Sequence, residues 1–164
     1  MKEVEINKQA KLSEHFSLGE LCMTSYHPSD GNIPSHVAIE NLRNLCENWL
    51  EKLRYSYNTL YGGGTQESGD IPIVITSGYR SEEVNRLCGG VKGSNHLTGC
   101  AVDIRCMGPE HQIRMANILL DIADETKRDF DELIIEKRGT TRWIHFAVRP
   151  PSQQNRRKIL FDMR

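Results

Sequence analysis

No stretch of this 164-residue sequence approaches the roughly 18 consecutive apolar residues that a membrane-crossing helix needs, so no membrane insertion is expected. Neither sign of charge is in excess. Lys and Arg number 21, Asp and Glu 22, and the formal net charge is −1. A nucleic-acid partner would call for a strongly basic face, so none is expected. The basic run Arg156–Arg157–Lys158 is short and reads as a solvated tail. Cysteine is sparse. The five thiols, Cys22, Cys46, Cys88, Cys100 and Cys106, are odd in number and show no C-x-x-C spacing. That argues against a disulfide framework and for reduced thiols. The opening stretch MKEVEINKQAKLSEHFSL lacks the apolar segment of a secretory signal, so a cytoplasmic location in the producing cell is expected.

What is present suits one domain, with a core over about residues 12–148 and a tail over 149–164. Ser17-Leu-Gly-Glu20 has the capping-box pattern that opens a short helix. The turn-rich TSYHPSDGNIP follows as a loop. Ile39, Leu42, Leu45, Cys46, Trp49, Leu50 and Leu53 recur at spacings of three and four, which predicts a helix of about five turns capped by Ser35. LYGGGTQESGD reads as an exposed connector and IPIVITSGYR as a strand. Ser81 and Gly89–Gly90 bracket a short helix. CAVDI alternates like a strand, with Ala101 and Asp103 on one face. Pro109 begins a helix whose expected apolar stripe is Ile113, Ala116, Leu119, Leu120 and Ala123. DELIIEKRGTTRWIHFAVR reads as a hairpin about a Gly-Thr turn. Strands and helices mix without βαβ alternation, which points to an α+β fold with a largely antiparallel sheet.

GSNHLTGCAVDI, from Gly93 to Ile104, carries the chemistry. An Asp among small apolar residues is costly to bury unless something positive lies beside it. In WIHFAV, His145 shares a strand face with Trp143 and Ala147, opposite the apolar residues. His96, Asp103 and His145 make two imidazoles and one carboxylate, the donor set of a catalytic zinc with a position left for water. Fully extended, the segment from His96 to Asp103 would span about 23 Å at roughly 3.3 Å per residue, so the chain must double back. Thr98-Gly99 is the place, because Gly accepts a positive φ. Two rival sets share these residue types: a Cys-rich zinc site of Cys88, Cys100 and Cys106 with His96, and a two-His-one-carboxylate iron site.

A zinc hydrolase also needs a carboxylate beside its water. Ile134 and Glu136 share a strand face. A two-residue turn at Gly139-Thr140 would set Glu136 opposite Trp143, and one at Thr140-Thr141 would set it opposite His145. In both registers Glu136 and His145 share a sheet face, while a turn of odd length would separate them. Arg80, just past the strand, offers a forked guanidinium for a substrate carboxylate.

SGYRSEEVNRLCGG, GSNHLTGCAVDI, DELIIE and WIHFAV together resemble the M15 peptidases, zinc D-Ala-D-Ala carboxypeptidases and related cell-wall endopeptidases. The S-x-H-x-x-G-x-A-x-D pattern is matched by Ser94, His96, Gly99, Ala101 and Asp103, and the likeness runs from about Leu12 to Val148. The resemblance implies the fold that this family shares with the Hedgehog signalling domain. It implies Zn²⁺ held by His96, Asp103 and His145, with Glu136 as general base and Arg80 as substrate-carboxylate ligand. Ser94 joins Arg80 as an expected substrate-binding residue. The implied substrate is a peptidoglycan stem peptide or muropeptide, reached after release from the cell. One position departs. Several members carry the catalytic Glu three residues before the last His, and Arg142 stands there. Cys100 places a thiol beside the expected metal and reads as a small packing residue.

Overall fold

The computed structural model describes residues 6–62 and 69–164. It is α+β, as the mixed pattern of elements implies. Helix α1 (Leu18–Leu21) opens on the expected capping box: Ser17 accepts from the Glu20 backbone while the Glu20 carboxylate accepts from the Ser17 N–H. Ser35 caps α2 (His36–Leu45), which runs through a π turn (Cys46–Leu50) into α3 (Glu51–Tyr61). This helical run is longer than the apolar periodicity alone indicated. The exposed connector was expected from Leu60 to Asp70. Its ends at Leu60, Gly69 and Asp70 are exposed, and residues 63–68 lie outside the described residues.

Strand β1 is only Ile75–Ser77, shorter than the apolar run IPIVITSGYR. Pro72 lacks an N–H for a ladder, and the β1–β2 register slips between Ile75 and Ser77. Ser81 caps α4 (Glu82–Leu87), and Gly89 (φ 71°) follows it. A 3-10 turn (Asn95–Thr98) leads to β2 (Ala101–Cys106), then α5 (Pro109–Thr126). The buried stripe of α5 is Gln112, Met115, Ala116, Ile118, Leu119, Ile122 and Ala123. Ile113, expected in that stripe, is exposed. It lies one position out of phase with Gln112, whose side chain bonds to the sheet.

Strands β3 (Glu132–Arg138), β4 (Thr141–Ala147) and β5 (Lys158–Met163) complete a five-stranded sheet in the order β1-β2-β4-β3-β5. Every neighbouring pair is antiparallel except β3 and β5. The β3–β4 turn falls at Gly139-Thr140, and Gly139 takes φ 59°. One sheet face carries Val102, Ile104, Leu133, Ile135, Ile144 and Phe146 into the core. Trp49 meets Phe146 there at 4.9 Å between ring centroids. Truncating such a buried Trp to Ala costs about 3–5 kcal/mol. The opposite face is left for polar residues.

The tail departs from expectation. Lys158 opens β5, which pairs in register with β3 from Glu132↔Lys158 to Lys137↔Met163. The basic run is ion-paired: Arg156 to Asp131 and Glu132, Arg157 to Asp124 and Asp129. Those acids lie 24 or more residues upstream, so linear spacing could not reveal them.

Candidate metal centre

The polar sheet face assembles the three expected ligands. Asp103 on β2 and His145 on β4 are direct partners in the antiparallel ladder. His96 comes from the 3-10 turn, whose Ser94 hydroxyl accepts from the His96 N–H at 3.3 Å. Gly99 then reverses the chain at φ 71°, as the spacing demanded. A Cβ there would sit 2.4 Å from the Ala38 carbonyl oxygen, so Gly is also required by the close approach to α2. Each of the three residues offers one ligand atom, and these atoms lie within 4.8 Å of one another. Among the described residues, this is the group of His, Cys, Asp and Glu that could hold a metal. The set of Cys88, Cys100, Cys106 and His96 does not assemble.

Every member is buried, and each has a second partner behind it. His96 Nδ1 donates to the Gly78 carbonyl at 2.6 Å, which leaves the lone pair on Nε2. Burial holds the His96 pKa below its ordinary value. Nε2 lies 3.3 Å from Asp103 Oδ1, yet it is buried with no hydrogen-bond partner. A bare lone pair facing a carboxylate oxygen calls for a cation between them. His145 Nδ1 approaches the same Oδ1 at 3.1 Å. Two nitrogens and one oxygen thus converge, a donor set that fits a zinc-type divalent ion.

The charges are strongly coupled. Burial alone would raise the Asp103 pKa, but the neighbouring imidazoles of His96 and His145, with the His145 hydrogen bond, hold it well below the carboxylate range. Burial opposes protonation of His145, but Asp103 and Glu132 outweigh it and raise its pKa to about 9.

Glu136 lines the same cleft, a cavity of about 640 Å³ that also takes in Arg80, Ser94 and Trp143. It faces Trp143 across the ladder, the first of the two anticipated registers. Its pKa is raised, first by burial and then by the charge of Asp103. Arg142 points elsewhere: its guanidinium donates to Gln112 Oε1 of α5 at 3.1 Å.

Two expected substrate contacts have partners within the protein. Arg80 donates from Nη2 to Asp103 Oδ2 at 2.8 Å and from Nε to Ser77 at 2.9 Å. Ser94 caps the turn that carries His96. Sequence reasoning missed Glu132, whose Oε2 lies 3.0 Å from His145 Nε2. The period-two alternation that grouped Ile134 with Glu136 reaches Glu132 one step earlier. Burial raises the Cys100 pKa, in keeping with a packing role.

An α+β sheet carrying a buried His-Asp-His cluster, with a carboxylate in the same cleft, defines a candidate single-metal hydrolytic centre. The Peptidase M15 family model matches residues 14–147, and the chain belongs to that family, a family of metallopeptidases. No curated protein matches it at a significant level. Among the described residues, no helix is long and apolar enough to cross a membrane.

Proposed function

We propose that this chain is a zinc peptidase that hydrolyses a peptide bond of the peptidoglycan stem. The observation that supports this most is the buried, unpartnered His96 Nε2 aimed at Asp103, with His145 closing the set. Bound there, zinc would polarise the scissile carbonyl and lower the pKa of its water toward about 7. Glu136 accepts the water's proton and returns it to the leaving amine. Its pKa is raised by burial and by the charge of Asp103, the direction that helps a carboxylate hold and return a proton. Trp143 Nε1 donates to Glu136 Oε2 at 2.7 Å and holds the carboxylate in place. A catalytically silent metal-containing binder would have no use for this carboxylate.

Removal of a terminal D-Ala needs a cation for the substrate carboxylate, and Arg80 is the residue the family resemblance assigns to it. The commitment of Arg80 to Asp103 and Ser77 favours a second reading, cleavage within the stem or cross-bridge. Mass spectrometry of purified muropeptides, incubated with and without chelator, separates the two. A carboxypeptidase releases single Ala residues, whereas an endopeptidase splits the stem or cross-link. No chelator-sensitive product from either substrate would overturn the enzymatic reading.

A further inference from the structure

Glu132 is the first residue of β3, and both of its oxygens are engaged. Oε2 meets His145 Nε2 at 3.0 Å and accepts from Asn95 Nδ2 at 3.1 Å. Oε1 accepts from Arg156 Nη2 at 2.9 Å, with Lys158 Nζ at 3.7 Å. A carboxylate so engaged is a poor proton acceptor for water but a firm orienting group for a ring.

Arg156 is itself clamped. It donates to Asp131 from Nε at 2.9 Å, from Nη2 at 2.7 Å and from its backbone N–H at 3.1 Å. Asp131 is fully buried and also accepts from Asn95 at 2.9 Å. Asn95 immediately precedes His96. One polar network therefore backs the His145 imidazole and holds the side chain of the residue before His96, and among the described residues its side-chain contribution from beyond the matched family region at this carboxylate pair is basic: Arg149, Arg156 and Lys158.

We infer that Glu132, anchored by Arg156, is a positioning residue of the metal centre: it holds the Nε2–H of His145 and so presents Nδ1 to the ion. The inference rests on the proposal that His145 is a ligand. A carboxylate behind a ligating imidazole fixes its tautomer and raises its basicity, and losing such a partner typically costs about 10–100-fold in metal affinity. It also gives the C-terminal segment a part in the site. Arg156 reaches the network from the segment that leads into β5, and Lys158 from the first residue of that strand.

The test is zinc affinity, measured by competition with a chromophoric chelator, on the full chain and on E132A, E132Q and R156A. The zinc dissociation constant should rise about 10–100-fold in E132A. It should rise less in E132Q, which keeps an acceptor, and in R156A, which keeps the carboxylate but loosens it. Nitrogen-15 NMR of the zinc-loaded, histidine-labelled protein gives a readout that general destabilisation would not mimic. The His145 Nε2–H signal should be protected from exchange in the unsubstituted protein and lost in E132A. If E132A fails to fold, E132Q and R156A carry the decision. Zinc binding by the unsubstituted protein, with affinity and the Nε2–H signal unchanged in the variants, overturns this inference alone. No zinc binding by the unsubstituted protein overturns the proposed function and this inference with it.

Discussion

Trp143 and Glu136 are cross-strand partners whose side chains are joined, indole N–H to carboxylate, at 2.7 Å. The bond orients the proposed base, so it can be tested apart from the base itself. Glu136→Ala should abolish turnover. Trp143→Phe keeps an aromatic side chain and removes the N–H donor. A hydrogen bond to a charged group contributes about 1.5–3 kcal/mol, so kcat should fall by about tenfold to a hundredfold with zinc affinity little changed. Steady-state kinetics beside a zinc titration checks both. Full activity in Glu136→Ala would remove the base assignment.

Zinc should stabilise the fold as well as activate it. A ligand at a hundred times its dissociation constant adds about 2.7 kcal/mol, which for a domain of this size raises Tm by about 5–10 °C. Thermal unfolding with and without chelator measures the shift. It should vanish in Asp103→Asn and His145→Ala. It should persist in Cys88→Ser and Cys106→Ala, because those thiols do not join the cluster.

Gly99→Ala should be costly. The left-handed φ of 71° strains any L residue by about 1–2 kcal/mol, and the new Cβ would press on the Ala38 carbonyl oxygen at 2.4 Å. Denaturant unfolding should show a loss of at least about 2 kcal/mol. Because the same turn carries His96, zinc affinity should weaken in parallel.

The Asp131 network predicts an acid limit to stability. Burial opposes ionisation of Asp131, but hydrogen bonds from Arg156 and Asn95 lower its pKa to about 2. An unfolded Asp titrates near about 3.9. The folded state therefore binds this proton less readily, and the stabilisation is complete above about pH 4. It should be lost as pH falls from about 4 toward 2, by on the order of 2 kcal/mol. Asp131→Asn should lower stability at neutral pH and remove that part of the pH dependence in urea titrations followed by circular dichroism.

Much of the centre was legible in the chain because it is built on local rules. Period-two alternation placed Asp103 and His145 on polar strand faces, and Gly99 marked the reversal that brings His96 back. Caps at Ser17, Ser35 and Ser81 set three helix starts, since a hydroxyl before an apolar period satisfies the first free N–H groups. The phase of α5 was harder. Its polar Gln112 belongs to the buried stripe because its amide meets the Glu136 and Trp143 carbonyls, a partner choice no periodicity encodes.

What the sequence determined by itself is the candidate donor set, the fold class and the strand face on which Asp103 and His145 stand, because side-chain chemistry and strand alternation are properties of neighbouring residues. Tertiary structure alone decided which hairpin register holds, that Arg80 turns to Asp103, that β5 lies parallel to β3, and that Glu132 and Arg156 stand behind His145. Those depend on groups far apart along the chain, and only the closing of the sheet brings their charges within hydrogen-bonding reach.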